Sequence, residues 1–238
     1  MLFLCACTNG AAESDGARVK QVIDGDTIVL QNGDTVRFLG INTPELGHGE
    51  FTDEPLANPA RQFVSRRIKG REVRLARERE RRDRYGRRLA EIYTPDGENL
   101  AVELLEQGLG SATAVGDEPF DYLDAYLQAE SSARTADKGV WGETFFSPLA
   151  AKTAVDMRHR GYRRIRGAVK RVSRSRNNQT LHLEGDFRVL ISHAAWDRHF
   201  SGTPQHSEGQ SVEVRGWIFK SHGVTGMKVY HPAMLERL

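Results

Sequence analysis

At 238 residues, with 39% hydrophobic and 28% charged residues, the chain has an ordinary globular composition, which excludes wholesale disorder. The mean hydropathy of −0.53, together with the lack of any apolar run of about 18 residues, excludes a membrane-spanning protein. The net charge of +2 conceals an asymmetry, because residues 1–150 hold 18 basic and 25 acidic residues whereas residues 151–238 hold 16 and 7. A basic half of this size suits a polyanion such as nucleic acid, although anionic lipid would also attract it.

The start of the chain resembles the end of a bacterial lipoprotein signal. Leu4-Cys5-Ala6-Cys7 precedes a polar stretch, and in such signals the last cysteine becomes the lipidated N-terminus. The segment is too short for a full signal peptide and lacks its positive start, so a cytosolic N-terminus with two unused thiols is the alternative. We favour a signal remnant and tether over residues 1–16 with a lipid anchor at Cys7. This predicts export from a bacterial cell, either as a membrane-anchored lipoprotein (periplasmic or cell-surface) or in secreted form.

Residues 17–147 show strand patterns first and helical patterns interleaved later. Runs rich in β-branched and apolar residues predict strands at 19–23, 27–30, 35–41, 72–76 and 89–93. Asn32-Gly33 favours a tight hairpin because both residues tolerate positive φ. Three stretches with helical spacing end at Gly70, Gly108 and near Gly139. We therefore predict an α+β fold, a small five-stranded OB-type β-barrel with packed helices.

After a predicted linker at 148–160, the pattern becomes almost purely β. Five strand patterns, at 162–172, 180–183, 187–191, 212–219 and 227–230, suit a second OB-like barrel over residues 161–238. Nine of the nineteen residues 158–176 are Lys or Arg, and none is acidic. Barrels of this type bind single strands through basic grooves and exposed aromatic residues, although a packing module or an anionic-lipid contact remains open. The candidate aromatic residues, most of which alternation should bury, are Tyr162, Phe187, Trp217, Phe219 and Tyr230.

Three clusters carry the residues for phosphodiester chemistry. They are Asp24-Gly25-Asp26-Thr27, then Arg37 through Asn42-Thr43-Pro44-Glu45, and Asp83-Arg84-Tyr85-Gly86-Arg87. Together they supply oxygen ligands for a hard divalent cation, one spare carboxylate and two separated arginines. Phosphodiester cleavage needs a cation and guanidinium groups to offset phosphate charge and a base to deprotonate water. Each cluster alone also has a structural explanation, since Asp-Gly-Asp is common in turns and most arginines between Arg77 and Arg88 suit a solvated surface.

The order, spacing and flanking residues of these clusters resemble the staphylococcal nuclease (thermonuclease) family over residues 18–142. The resemblance implies that Arg37, Glu45 and Arg87 are catalytic, with Glu45 as the general base and the two arginines on the scissile phosphate. It implies Ca²⁺ as cofactor, bound by the carboxylate of Asp26 and the backbone carbonyl of Thr43.

The resemblance also implies that Arg84 and Tyr85 contact a neighbouring phosphate and a sugar or base. Asn42 stands where the staphylococcal enzyme has a second ligating aspartate. Its amide oxygen can still coordinate, but one negative charge is lost, which predicts weaker metal binding. Ala114 and Gly116 stand where that enzyme has two nucleotide-contacting tyrosines, which predicts weaker substrate binding at the first barrel.

We therefore expect a calcium-dependent nuclease, a phosphodiesterase of the endonuclease type, that hydrolyses DNA and/or RNA to leave 3′-phosphates. Its partner would be nucleic acid, preferably single-stranded, and no obligate protein partner is evident. The alternative is a nuclease-fold nucleic-acid-binding lipoprotein with weak or no catalytic activity. A third class, a surface lipoprotein that serves as a structural partner, would use neither site.

Overall fold

A computed structural model describes residues 17–76, 82–116, 120–155, 161–201 and 208–238. The predicted tether with Cys7 and part of the arginine-rich loop, residues 77–81, lie outside the described residues. Within the described residues, the first part of the chain contains seven strands and three α-helices. The strands are β1 (Ala17–Val22), β2 (Thr27–Leu30), β3 (Thr35–Phe38), β4 (Ile41–Asn42), β5 (Glu72–Ala76), β6 (Arg88–Tyr93) and β7 (Ser111–Ala112), and the helices are α1 (Ala57–Ile68), α2 (Leu100–Glu106) and α3 (Leu123–Thr135).

Five of these strands close into the first barrel, in the order β1-β2-β3-β6-β5. The β2–β3 hairpin turns where the sequence predicts, because the side chain of Asn32 accepts the N–H of Asp34 at 2.9 Å and Gly33 adopts a φ of 91°. Ile28, Val36 and Ala90 from three strands are fully buried in the barrel core. The predicted five-stranded barrel is confirmed.

The helices pack against this barrel through apolar faces. On α1, Ala57, Ala60, Val64 and Ile68 are buried at the spacing of one helical face. Asn99 caps the N-terminus of helix α2, because its side chain accepts N–H groups of the first turn. The short strands β4 and β7 pair with each other beside the barrel, and β4 leads the chain into the segment 43–45.

The rest of the chain forms a second closed barrel. Its elements are β8 (Leu149–Ala150), α4 (Ala151–Ala154), β9 (Tyr162–Arg174), β10 (Asn178–Leu183), β11 (Phe187–Ser192), α5 (His193–Ala195) with a π-helical turn (Trp196–Phe200), β12 (Ser211–Ser221), β13 (Val224–Lys228) and β14 (Leu235–Arg237). The ring runs β9-β10-β11-β13-β12 and closes where β12 pairs with β9. This confirms the second, mostly β barrel that the sequence predicts.

Some details differ from the expectations. Strand β13 begins before residue 227, because Thr225 and Gly226 pair with β12 although neither fits an apolar pattern. Phe187 is completely buried, so this candidate for nucleic-acid contact belongs to the core. Within the stretch predicted as a linker, β8 pairs with β9 and α4 buries Ala151 and Ala154. Residues 156–160 of that stretch lie outside the described residues.

Charged side chains join the two barrels. Glu130 on α3 forms an ion pair with Arg215 on β12, and the two side chains are 1% and 4% exposed. Near the surface, Arg134 donates to Glu236 at 2.7 Å. In the described ranges, none of the helices is long and apolar enough to cross a bilayer.

Candidate active site

Asp26 lies in the turn between β1 and β2, where its surroundings fix its carboxylate. The residue is 2% exposed, and its carboxylate accepts the N–H of Thr43 at 2.9 Å and the hydroxyl of Thr27 at 3.1 Å. The turn must approach Thr43 closely, because a Cβ on Gly25 would lie 2.7 Å from the Thr43 hydroxyl oxygen and from the Cβ of Ala60. Glycine at this position therefore allows residues 26 and 43 to meet.

Arg37 on β3 joins the Asp26 cluster to strand β4. Its guanidinium forms an ion pair with the carboxylate of Asp26, and its Nη2 donates to Oδ1 of Asn42 at 3.3 Å. The Asn42 amide in turn donates to the carbonyl of Thr43 at 3.2 Å. The three residues that the resemblance assigns to the metal thus lie in one hydrogen-bonded cluster with Arg37.

Glu45 follows this cluster, and Glu54 holds its backbone in place. Its N–H donates to the side chain of Glu54 at 3.0 Å, and its carbonyl accepts the N–H of Glu54 at 2.9 Å. The Glu45 side chain is accessible to solvent. Surrounding protein atoms nevertheless withdraw part of its hydration, and together with the charge of Asp26 this raises its pKa. Glu45 also lies within electrostatic range of Arg37 and Arg87.

Arg87, in the arginine-rich loop, lies beside the cluster of Asp26 and Arg37. Asp83 accepts the N–H and the Nε–H of Arg87 at 2.9 and 2.7 Å, which fixes the guanidinium. Its Nη1 lies 3.5 Å from the hydroxyl of Thr27, next to Asp26. The structure therefore brings Asp26, Arg37 and Arg87 together, and the two arginines border one opening.

Arg84 and Tyr85 lie at the edge of this opening. Tyr85 is 67% exposed, and its hydroxyl accepts a hydrogen bond from Arg84 at 2.7 Å. The guanidinium groups of Arg84 and Arg87 lie 4.8 and 5.2 Å from its ring centre. This ring is therefore available for contact with a molecule that enters the opening.

Negative charge is crowded at the centre of the site. The pKa of Asp24 is raised to about 7, first by burial and then by the charges of Asp26 and Glu45. Across the described ranges, no group of three or more His, Cys, Asp or Glu side chains has a metal-binding arrangement. A cation here would therefore depend on mixed oxygen donors, and the carboxylate, amide and carbonyl oxygens of Asp26, Asn42 and Thr43 are the type that hard cations prefer.

The first part of the chain has relatives among known proteins. Residues 35–143 match the family model for staphylococcal nuclease homologues. The chain is 34% identical over 127 residues to a thermonuclease of Staphylococcus intermedius, covering 52% of this chain and 74% of that protein. The chain belongs to the staphylococcal nuclease family. Its first barrel is a nuclease domain, that of a hydrolase of the endonuclease class.

Two further relatives match a similar length of the chain. A thermonuclease of Staphylococcus hyicus is 30% identical over 127 residues, 52% of this chain and 74% of that protein. Endonuclease YncB of Bacillus subtilis is 32% identical over 128 residues, 52% of this chain, but the chain spans 60% of its length. The family match ends at residue 143, before the second barrel.

The structure gives a role to two residues of this nuclease domain, Asp83 and Glu54, that receive none from sequence reasoning. Asp83 orients Arg87, and its position four residues earlier in the chain is the signal that could have indicated this. Glu54 holds Glu45, but the loop that brings these two residues together leaves no pattern in the sequence. Asp24 accepts the N–H of Asp26 at 2.9 Å, which fits the turn role considered for it.

Proposed function

We propose that the chain is a calcium-dependent nuclease that hydrolyses DNA and/or RNA, preferably single-stranded, and leaves 3′-phosphates. The observation that supports the proposal is that Arg37 pairs with Asp26, Arg87 lies beside the adjacent Thr27, and Glu45 is within electrostatic range of all three charged groups, although 61 positions of the chain separate Asp26 from Arg87. A nuclease needs a negative donor for a cation, two cationic groups for the phosphate and a base for water. Asp26 supplies the negative donor, Arg37 and Arg87 supply the two cationic groups, and Glu45 supplies the base.

Asp26, Asn42 and Thr43 would hold Ca²⁺. The crowded charges of Asp24, Asp26 and Glu45 support this, because the pKa of Asp24 is raised by burial and then by repulsion from the other two carboxylates, and a cation would relieve that repulsion. When bound, the cation would offset the negative charge of the scissile phosphate.

Glu45 would accept a proton from the attacking water. A base works best when its pKa approaches the working pH, and the raised pKa of Glu45 moves it in that direction. The water oxygen forms a bond to phosphorus as the bond from phosphorus to the 5′-oxygen breaks, so the phosphate stays on the 3′ side. The leaving 5′-oxygen takes a proton from solvent.

Arg37 and Arg87 would bind the phosphate oxygens that gain charge in the transition state. Both guanidinium groups are oriented before substrate arrives, Arg37 by Asp26 and Arg87 by Asp83. Orientation by fixed carboxylates reduces the entropy lost when the phosphate binds. Arg84 and Tyr85 would contact the neighbouring nucleotide.

For the whole chain, we propose a nuclease domain over residues 17–147 and a basic OB-like domain over 161–238. The motif Leu4-Cys5-Ala6-Cys7 supports export with a lipid anchor at Cys7. The mass of the mature N-terminus, measured on protein purified from a bacterial membrane, tests this. An acylated Cys7 is expected, and an unmodified Met1 would contradict the anchor.

Hydrolysis of heat-denatured DNA, measured with Ca²⁺, with Mg²⁺ and with a chelator, tests the proposed activity. We expect cleavage with Ca²⁺, none with the chelator, and products that end in 3′-phosphate. Asp26→Asn should lower the rate by about 100-fold or more, whereas the exposed Asp121→Asn should leave it unchanged. Binding of DNA without cleavage by the native protein would instead support the alternative of a nucleic-acid-binding protein.

A further inference from the structure

A cavity of about 530 Å³ lies between the two barrels, next to the candidate active site. This volume is within the range of roughly 300–1,000 Å³ that small-molecule sites occupy. The first barrel borders the cavity with Arg37, Tyr85 and Arg87, among others. The wall from the second barrel includes Tyr162, Arg215, Trp217, Phe219, Lys228 and Tyr230. The proposed phosphate-binding arginines therefore share one cavity with an aromatic wall from a different domain.

Strand β12 forms much of this wall because of its alternation. Val214 and Ile218 are buried in the second barrel, so Arg215, Trp217 and Phe219 lie on the opposite face of the strand. Those three residues all border the cavity. The face of β12 that would otherwise meet solvent is therefore turned towards the nuclease domain.

The ion pair between Glu130 and Arg215 holds this face in place. Glu130 also accepts the N–H of Ala112 on β7 at 2.6 Å, so it is fixed within the nuclease domain. Because both charged groups are buried, removing either one would leave the other as an unpaired charge out of water. The aromatic wall therefore has a defined position relative to Arg37 and Arg87.

Trp217 is the residue of this wall best placed for stacking. It is 38% exposed, and its ring meets Tyr162 edge to face, with centroids 5.1 Å apart and planes at 76°. Tyr85, on the nuclease domain, borders the same cavity and is also exposed. Exposed aromatic rings beside a phosphate site are the means by which proteins bind unpaired bases.

The charges around the cavity suit a polyanion. Lys228 is exposed on the second-barrel side, and no carboxylate in the described part of the chain forms an ion pair with it. Among the described residues that line the cavity, Asp83 alone is acidic, and it is paired with Arg87. A ligand that combines flat aromatic groups with phosphates fits both the rings and the charges.

We propose that this cavity is a nucleobase subsite, where Trp217 stacks on an unpaired base beside the scissile phosphate and Lys228 binds an adjacent phosphate. The inference rests on the proposed nuclease function of the first barrel. It assigns the second barrel to substrate recognition at the same site. It also gives a reason for single-strand preference, because the bases inside a duplex have no free face for Trp217.

The test is binding of a short fluorescent oligothymidylate in chelator, where the calcium-dependent activity is absent. Trp217→Ala should weaken binding by about 5- to 100-fold, and Trp217→Phe should restore part of the loss. Lys228→Met should lower the salt dependence of binding by about 0.7 in the log–log slope. Lys220→Met is the matched control, because Lys220 is exposed on β12 but does not border the cavity. A perfectly paired duplex of the same length should not compete.

Quenching of tryptophan fluorescence by the unlabelled oligonucleotide gives a second measurement that needs no alanine variant. Native protein should show quenching, and Trp217→Phe should lose most of it while Trp141 and Trp196 remain. Equal affinity of native protein and Trp217→Ala, with unchanged quenching in Trp217→Phe, would overturn the subsite even if the protein cleaves DNA. Weakened binding in a protein that never cleaves would uphold the subsite and overturn the proposed function.

Discussion

Arg163 on the second barrel donates from Nη1 to the carboxylate of Glu54 at 3.1 Å, and the other oxygen of Glu54 accepts the N–H of Glu45. Arg163 is 7% exposed, and its guanidinium also lies 4.6 Å from the ring centre of Phe145. A residue outside the family match thus contacts the loop that carries the proposed base. The second barrel is therefore expected to affect catalysis as well as substrate binding.

Arg163→Met should lower kcat by roughly 10- to 100-fold with little change in KM, because a misplaced base slows the reaction without removing substrate contacts. Arg163→Lys should recover part of the rate. The control is Arg174→Met, since Arg174 is exposed on the same strand, β9. Steady-state kinetics on single-stranded DNA, with Tm measured in parallel, check this. A change in KM alone would contradict a positioning role for Arg163.

The buried pair between the barrels should matter more for stability than the outer pair. Arg215→Met leaves Glu130 charged and without its partner, which we expect to cost about 3–5 kcal/mol. Arg134→Met breaks the more exposed pair with Glu236 and should cost about 1 kcal/mol or less. Urea unfolding of both variants measures the difference. Equal losses would show that Glu130 and Arg215 are not isolated from water.

In the absence of metal, the contribution of Asp24 to stability should fall as the pH rises from about 4 to 7. The pKa of Asp24 is 3.8 in the unfolded chain and about 7 in the folded protein. Between these values the folded state keeps a proton that the unfolded state releases, so rising pH favours unfolding. Asp24→Asn, which retains the oxygen that accepts the Asp26 N–H, should raise Tm at pH 7.5 and leave it unchanged at pH 3.

Thermal unfolding in chelator at both pH values checks this prediction. Asp121→Asn controls for the loss of one surface charge. If Asp24→Asn had no effect at pH 7.5, burial and the neighbouring carboxylates would not raise the pKa of Asp24.

Asn42→Asp should restore a negative donor beside Asp26 and lower the Ca²⁺ concentration that gives half-maximal hydrolysis. The added carboxylate increases the charge of the site, which tunes Ca²⁺ affinity. Asn42→Ala removes the amide oxygen and should shift the requirement upwards. A calcium titration of the initial rate measures both effects. If the midpoint stays constant in both variants, residue 42 does not take part in metal binding.

The barrels and the location of the site could be predicted because their signals are local. Alternating apolar residues and the Asn32-Gly33 turn indicate the first barrel, and three short clusters hold the proposed catalytic residues. Contacts between the barrels leave no such pattern. Phe187 and Trp217 are both aromatic residues in strands. Phe187 is buried on the inward face of β11, whereas Trp217 lies on the outward face of β12, where only the packing of the two domains creates the cavity that it lines.

The same limit applies to Glu54 and Arg163. Glu54 contacts Glu45 because a loop folds back over nine residues, and Arg163 contacts Glu54 from a strand 109 positions further along the chain. The positions of these residues in the sequence do not indicate either contact. Strand β8 and helix α4 were missed for a related reason, because two- and four-residue elements are stabilised by the barrel they contact rather than by their own sequence.

The most direct measurement of the central claim is the initial rate of hydrolysis of denatured DNA by Glu45→Gln in saturating Ca²⁺. The account predicts a loss of about 100- to 10,000-fold, with oligonucleotide binding retained and with the exposed control Glu50→Gln as active as the native protein. Cleavage by Glu45→Gln at the native rate would contradict it.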